Sequence, residues 1–321
     1  TDLSTPTKDL TLIEAPNQRS ESLAIALALR DAADRGEVAA LITPDRLLGR
    51  QVTAALDRWG ILPDDSAGRP LAQSAPGRFL RQIARLFDRR LTNAAFLTLL
   101  KHPLTATGAA RGVHLRFTHE YELHMRRFGP AVFDPKALIA WASTQSDPTC
   151  SAWALWLADR LSHFENISPR PIAAHLTALL ECAGGLAAGP GSTGTGGLWE
   201  KEAGQTAAEM IEALTAAAPF GGTLSAYDFD ALFTSVLNQG QIRISHQADP
   251  NIMIWGTLEA RVQGADLVIL GGLNDGVWPQ MPLPDPWLNR QMRQKAGLLL
   301  PERRIGLSAH DFQQAICAPK V

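Results

Sequence analysis

The stretch Asn251–Pro279 constrains the fold more than any other part of the chain. It holds two apolar runs, Ile252–Ile254 and Leu267–Leu270, each too short for a helix and each bounded by glycine or polar residues. Such runs predict strands buried on both faces, the kind found in parallel sheets covered by helices. In open parallel sheets the loops leaving the carboxyl ends of the strands carry the ligand contacts. That reading selects Thr257, Glu259 and Arg261 on one loop and Asn274, Asp275 and Trp278 on the next.

The beginning of the chain fits the same architecture. An apolar run at Leu10–Ile13 is followed by Ser20, which predicts a helix cap, and by a helix running to about Arg35, where Gly36 ends it. Val38–Ile42 predicts a strand, Thr43-Pro44-Asp45 a turn, and Leu47, Leu48, Val52, Ala55, Leu56 and Trp59 repeat at helical spacing. Strand and helix in alternation predict a parallel sheet. From about Asp88 to Arg243 the pattern changes to helix, with repeats such as Trp153, Trp156, Leu157 and Leu161, or Ile172, Leu176, Leu179 and Leu180. The glycine-rich stretch Gly184–Gly197 lacks periodicity and predicts a mobile loop. Near the end, Pro284 to Arg290 predicts a helix start and Ser308 the cap of another helix.

Composition narrows the function classes. With 321 residues the chain is long enough for two cores. Its formal charge of −2 excludes a basic coat, so any nucleic-acid contact must be local. One such patch is written into a helical wheel: Arg78, Arg81, Arg85 and Arg89 share one stripe, opposite Leu80, Ile83 and Phe87. From Arg78 to Arg127 ten Lys or Arg face three acids, so the stripe reads either as a solvated helix surface or as a track for phosphates. No apolar run approaches the roughly 18 residues of a membrane span. Cys150, Cys182 and Cys317 are far apart in the sequence, which fits reduced thiols in a cytoplasmic protein. A chain starting at Thr1 and stopping at Val321, shortly after an expected helix, reads as a piece of something longer.

Several motifs have simpler readings than the chemistry they suggest. Gly189–Gly194 and Gly191–Gly196 look like phosphate loops, yet neither is followed by Lys-Ser or Lys-Thr and neither follows an apolar strand. With no P-loop, the chain by itself is expected not to hydrolyse ATP. His114, His119 and His124 are spaced by five, which turns successive imidazoles about 140° apart on a helix and does not suit a zinc pair. Asp64-Asp65, and Asp228 with Asp230, read as turn and cap residues, so no nuclease carboxylate set is expected.

The words Thr257-Leu-Glu-Ala-Arg261 and Asp266-Leu-Val-Ile-Leu-Gly-Gly-Leu-Asn-Asp-Gly-Val-Trp-Pro279 resemble the fifth motif of UvrD-like superfamily-one helicases, in the form found in the AddB subunit of bacterial AddAB helicase-nucleases. Similar phrases are Ile13–Asn17, Leu41–Arg46, Asp57–Ile61, Asp64–Gly68 and Pro301–Phe312. The resemblance implies a RecA-like parallel sheet covered by helices and interrupted by a mostly α-helical insertion. It divides the chain into residues 10–87, the first part of the second RecA-like domain, 88–243, the insertion, and 244–321, the truncated remainder.

By resemblance the parent would act in DNA double-strand-break repair, with single-stranded DNA and DNA ends and an AddA-like motor subunit as partners. ATP, magnesium and an iron–sulfur cluster would belong to the parent complex, and no cofactor to this region. Active motors of this type have a His and then Lys-Gly-Leu-Glu in the loop where this chain has Glu259 and then Val262-Gln263-Gly264-Ala265. A carboxylate repels DNA phosphates, so the expected role is non-catalytic: gripping a strand through Arg78, Arg81, Arg85, Thr257, Arg261, Asn274 and Trp278. An ATP-driven half-motor, or a protein-interaction scaffold without DNA contact, are the alternatives.

Overall fold

The computed structural model describes residues 8–88, 90–161, 168–242, 248–261, 263–283 and 285–321. Arg89, Arg243, Val262 and Pro284 of the sequence reading lie outside the described residues. The chain divides into two compact units, residues 1–68 with 243–321, and residues 69–242. The first crossing therefore falls between Gly68 and Arg69, ahead of the expected boundary at 87/88, and the second falls between Ile242 and Arg243.

The first unit opens with α1 (Gln18–Arg35), β1 (Ala39–Ile42), α2 (Arg46–Leu56) and β2 (Pro63–Asp65). The cap of α1 is Asn17, whose Oδ1 accepts the Ser20 N–H at 2.9 Å, so Ser20 sits inside the first turn instead of capping it. At the other end Gly36 takes the left-handed conformation, φ 71°, that a residue with a Cβ adopts only with strain. Leu10–Ile13 forms no strand: Leu12 and Ile13 are exposed, and the local bond is Thr11 N–H to the Val321 carbonyl at 2.8 Å.

The second unit follows in sequence. It contains β3 (Arg69–Pro70), α3 (Ala75–Arg85), α4 (Asn93–Leu100), α5 (Arg111–Phe128), α6 (Pro135–Ala142), α7 (Thr149–Leu161), β4 (Arg170–Pro171), α8 (Ile172–Ala188), α9 (Lys201–Ala217), β5 (Thr223–Leu224), α10 (Ala226–Gln239) and β6 (Gln241–Ile242). Its strands are two-residue antiparallel pairs, β3 with β6 and β4 with β5, and its core is aromatic, with Phe79, Phe117, Tyr121, Trp153, Phe229 and Phe233 all fully or almost fully buried. The glycine-rich stretch is not a free loop. Gly184 and Gly185 continue α8, where a Cβ on Gly185 would lie 2.7 Å from Arg160 Nε. Beyond it, Gly197 N–H donates to Thr107 Oγ1 at 2.7 Å, and the Thr107 N–H reaches the Ala187 carbonyl at 2.9 Å. Here small residues serve close approach, which overrides their weak helix propensity.

Three histidines of this unit are buried as neutral imidazoles. Nδ1 accepts a hydrogen bond in each: from Leu104 N–H to His102, from Trp153 Nε1–H to His114, and from Arg170 Nε–H to His175. Burial, the largest cause, pushes all three below the ordinary value of 6.5, and His102 falls to about 4 with Arg78 and Arg111 adding to the effect. Unfolded His102 takes up its proton near pH 6.5 and folded His102 only near 4, so in that window the unfolded state binds more protons and stability falls with falling pH. The urea midpoint is expected to drop between pH 7 and pH 5. The drop should be smaller in His102→Asn, whose Oδ1 still accepts the Leu104 N–H; an equal drop in both proteins contradicts the assignment.

The chain then returns to the first unit with β7 (Asp249–Trp255), β8 (Leu267–Leu270), α11 (Arg290–Lys295) and α12 (Arg303–Ala315). The four longer strands form one sheet in the order β2-β7-β1-β8, and every pairing is parallel. β1 lies between the two strands of the later stretch, with Ala39 opposite both Ile252 and Leu267, and Ile42 opposite both Trp255 and Leu270. Parallel pairing is possible here because long connections separate the strands. Alternate side chains fill two cores. Leu41, Ile252, Ile254 and Leu267 pack with Ile25 and Leu29 of α1 and with Leu48, Val52 and Leu56 of α2. Ala40, Ile42, Trp255 and Val268 pack on the opposite face with Trp278, Phe312 and Ala315. Mixed α/β architecture with a helix-covered parallel sheet is thus the fold of this unit, and helices dominate the other. Among the described residues no helix is long and apolar enough to cross a membrane.

Candidate functional site at the carboxyl edge of the sheet

All four strands point the same way, so residues 43–46, 66–68, 256–261 and 271–278 leave the same edge of the sheet. Helix termini and carboxylates meet there. Asp45 caps α2 by accepting the N–H groups of Leu47 at 2.8 Å and Leu48 at 3.3 Å, and its Oδ2 takes Gln18 Nε2 at 2.8 Å. Glu21, in the first turn of α1, accepts the Gly272 N–H at 2.7 Å. At the start of α2 the N–H groups that could bind a phosphate are therefore met by the chain's own Asp45 carboxylate, whereas the α1 start is capped by the Asn17 amide and Glu21 holds a loop N–H. At the end of β2, burial raises the Asp65 carboxyl above its ordinary value, opposed by the Ala67 N–H bond and by Arg46 and Arg50.

The expected contact residues separate into three kinds. Thr257 is half-buried and Asn274 is exposed, both at this edge. The Asn274 carbonyl closes the turn by accepting the N–H groups of Val277 at 3.0 Å and Trp278 at 3.1 Å. Arg261 is engaged instead of open: Nε and Nη2 form a fork on Asp311 of α12, at 2.6 and 3.1 Å, and Asp311 is buried. Trp278 is no stacking surface. It is 6% exposed, lies in the core between the sheet and α12, and donates Nε1–H to the Ser308 carbonyl at 3.2 Å. Ser308 is within α12, which begins at Arg303, so it does not cap that helix.

The arginine stripe belongs to the other unit. On α3, Arg78 and Arg85 are exposed, whereas Arg81 is half-buried and donates Nη1 to the Ala72 carbonyl at 3.2 Å. The stripe therefore offers two open guanidinium groups among the described residues, and the fourth residue, Arg89, lies outside them. Elsewhere in the basic stretch, Lys101 and Arg126 pair with Glu122, and Arg116 pairs with Asp147. Arg111 donates to the carbonyls of His102 and Thr105.

No protein-family model matches the chain. A protein of Rickettsia felis, described as an uncharacterized protein, is 25% identical to it over 280 residues. That match covers 87% of this chain and 29% of the other protein, so the chain spans under a third of the length of the relative it matches.

Two exposed features of the first unit carry little signal in the sequence. Arg46 and Arg50 are exposed cations on α2, close enough to influence Asp65, but single arginines on a surface helix carry no signal of their own. Trp287 is 86% exposed, and only its distance from any apolar repeat could have suggested that it lies outside a core.

Proposed function

We propose that the chain is a non-catalytic, helicase-like region of an AddB-like subunit from a DNA double-strand-break repair helicase-nuclease. In this reading 1–68 and 243–321 are the second RecA-like domain, 69–242 is its helical insertion, and the region holds single-stranded DNA and packs against an AddA-like motor. One observation carries the proposal: β1 is inserted between β7 and β8 in a single parallel sheet, so that Thr43–Arg46 and the Thr257–Trp278 motif leave the same edge. Of the helicase-like phrases, Leu41–Arg46, Asp64–Gly68 and Thr257–Pro279 are far apart in sequence and leave that edge together. The absence of a P-loop sequence, and the Asp45 carboxylate on the α2 terminus, support holding over catalysis. The fork of Arg261 on Asp311 favours the second reading, an interaction scaffold without DNA contact.

Fluorescence anisotropy of a labelled oligo-dT, titrated with the chain at several salt concentrations, separates the two. Binding is expected, and Arg78→Ala with Arg85→Ala should lower the slope of log K against log salt by about 1.4, at about 0.7 per single-strand phosphate contact. Binding with an unchanged slope removes the stripe from the site, and no binding at low salt favours the scaffold.

A further inference from the structure

The segment after the Trp278 motif presents a surface that the sheet edge does not. Its loop is tied by hydrogen bonds: Asp285 Oδ1 accepts the N–H groups of Trp287 at 2.9 Å and Leu288 at 3.1 Å, and Oδ2 takes Arg293 Nη1 from α11 at 2.6 Å. Arg293 Nε also donates to the Leu299 carbonyl at 3.2 Å. Despite this anchoring the Trp287 indole is 86% exposed. Arg290 Nη1 lies 3.0 Å from Glu302 Oε1, which brings the start of α12 alongside the start of α11 and so beside the Trp287 loop. Both acids between 285 and 304 are thereby neutralised by Arg293 and Arg290. Lys295, Arg303 and Arg304 are exposed and make no ion pair among the described residues, so the surface is left positive.

We propose that Trp287 is a stacking platform for a base of a single-stranded nucleic acid, with Lys295, Arg303 and Arg304 receiving the flanking phosphates. The proposal rests on the single-strand reading above and gives it an aromatic contact, the role that buried Trp278 does not fill. An exposed indole on a hydrogen-bonded loop, beside cations that are unpaired among the described residues, is the arrangement that binds strands without reading sequence: each base has a face to stack and each nucleotide a phosphate. Exposed Leu283 and Leu299 lie in the same segment, and an apolar protein partner is the competing occupant.

Anisotropy titrations with labelled oligo-dT and oligo-rU, using the 321-residue chain and its variants, test the assignment. Trp287→Ala is expected to weaken binding about tenfold or more, the range seen when a stacked aromatic is removed, while Trp287→Phe stays within about threefold of the parent. Lys295→Ala, Arg303→Ala and Arg304→Ala together should flatten the salt slope by about 2. Equal effects with both oligomers assign a general single-strand site, and an effect with only one assigns the strand type. If the parent chain and Trp287→Ala bind alike while Arg78→Ala with Arg85→Ala binds weakly, the single-strand reading stands and this site is wrong. If Trp287→Leu binds as well as Trp287→Phe, the position needs only apolar contact and stacking is overturned. If the parent chain binds neither oligomer, both proposals fall.

Discussion

Trp278→Ala is expected to unfold at clearly lower urea concentration, with a loss of about 3–5 kcal/mol, the range for removing a large buried aromatic. Truncation would empty the space between the sheet and α12, where Ala40, Ile42, Trp255, Val268 and Ala315 surround the ring, and would delete the Nε1–H bond to Ser308. Relaxation is limited because the strand side of this core is held by parallel ladders on both sides of β1. Trp278→Phe, which keeps most of the apolar volume, should lose less. The opposite pattern, unchanged unfolding with lost oligonucleotide binding, would show the ring to be a contact surface after all. Trp287 supplies the contrast: its removal should leave stability within about 0.5 kcal/mol, as for exposed positions without packing partners.

These two tryptophans show where a sequence reading stops. A single Trp in a motif loop has the same appearance whether it stacks on a ligand or plugs a core. The decision was made by α12, whose approach across the sheet depends on residues 303–315. Arg261 is similar. Its partner Asp311 is fifty residues away, and no local spacing announces the pair.

β1, β8 and the apolar part of β7 were legible because each holds a short, largely buried apolar run, and that pattern has few other outcomes; the polar start of β7, Asp249 to Asn251, was not. Their lateral order was not, since insertion of β1 between β7 and β8 is fixed by packing against α1 and α2. β2 was hidden altogether. Pro63-Asp64-Asp65 has neither alternation nor an apolar run, and only an edge position beside β7 makes it a strand. Of the stripe, Arg78, Arg81 and Arg85 lie on α3, which ends at Arg85, and Arg81 turns to the Ala72 carbonyl, a partner outside the helix that a helical wheel does not display. Gly184 and Gly185 misled in the other direction, because glycines chosen for close packing look like glycines chosen for freedom.

The account depends on one sheet built from both ends of the chain, and Leu41→Ala probes it at the centre. Leu41 is fully buried between Ile254 and Ile269, so its truncation should remove about 2–5 kcal/mol. Because β1 is bonded to both neighbours, including Thr43 N–H to the Trp255 carbonyl and Gly271 N–H to the Ile42 carbonyl, the three strands should open together. Native-state hydrogen exchange on the parent and on Leu41→Ala measures this directly. The expected result is a common loss of protection in 39–43, 250–255 and 267–271, by a factor of about 30 or more. Faster exchange in 39–43 with parent-like protection in 267–271 would mean that β1 and β8 do not share a sheet, and the helicase-like reading would go with it.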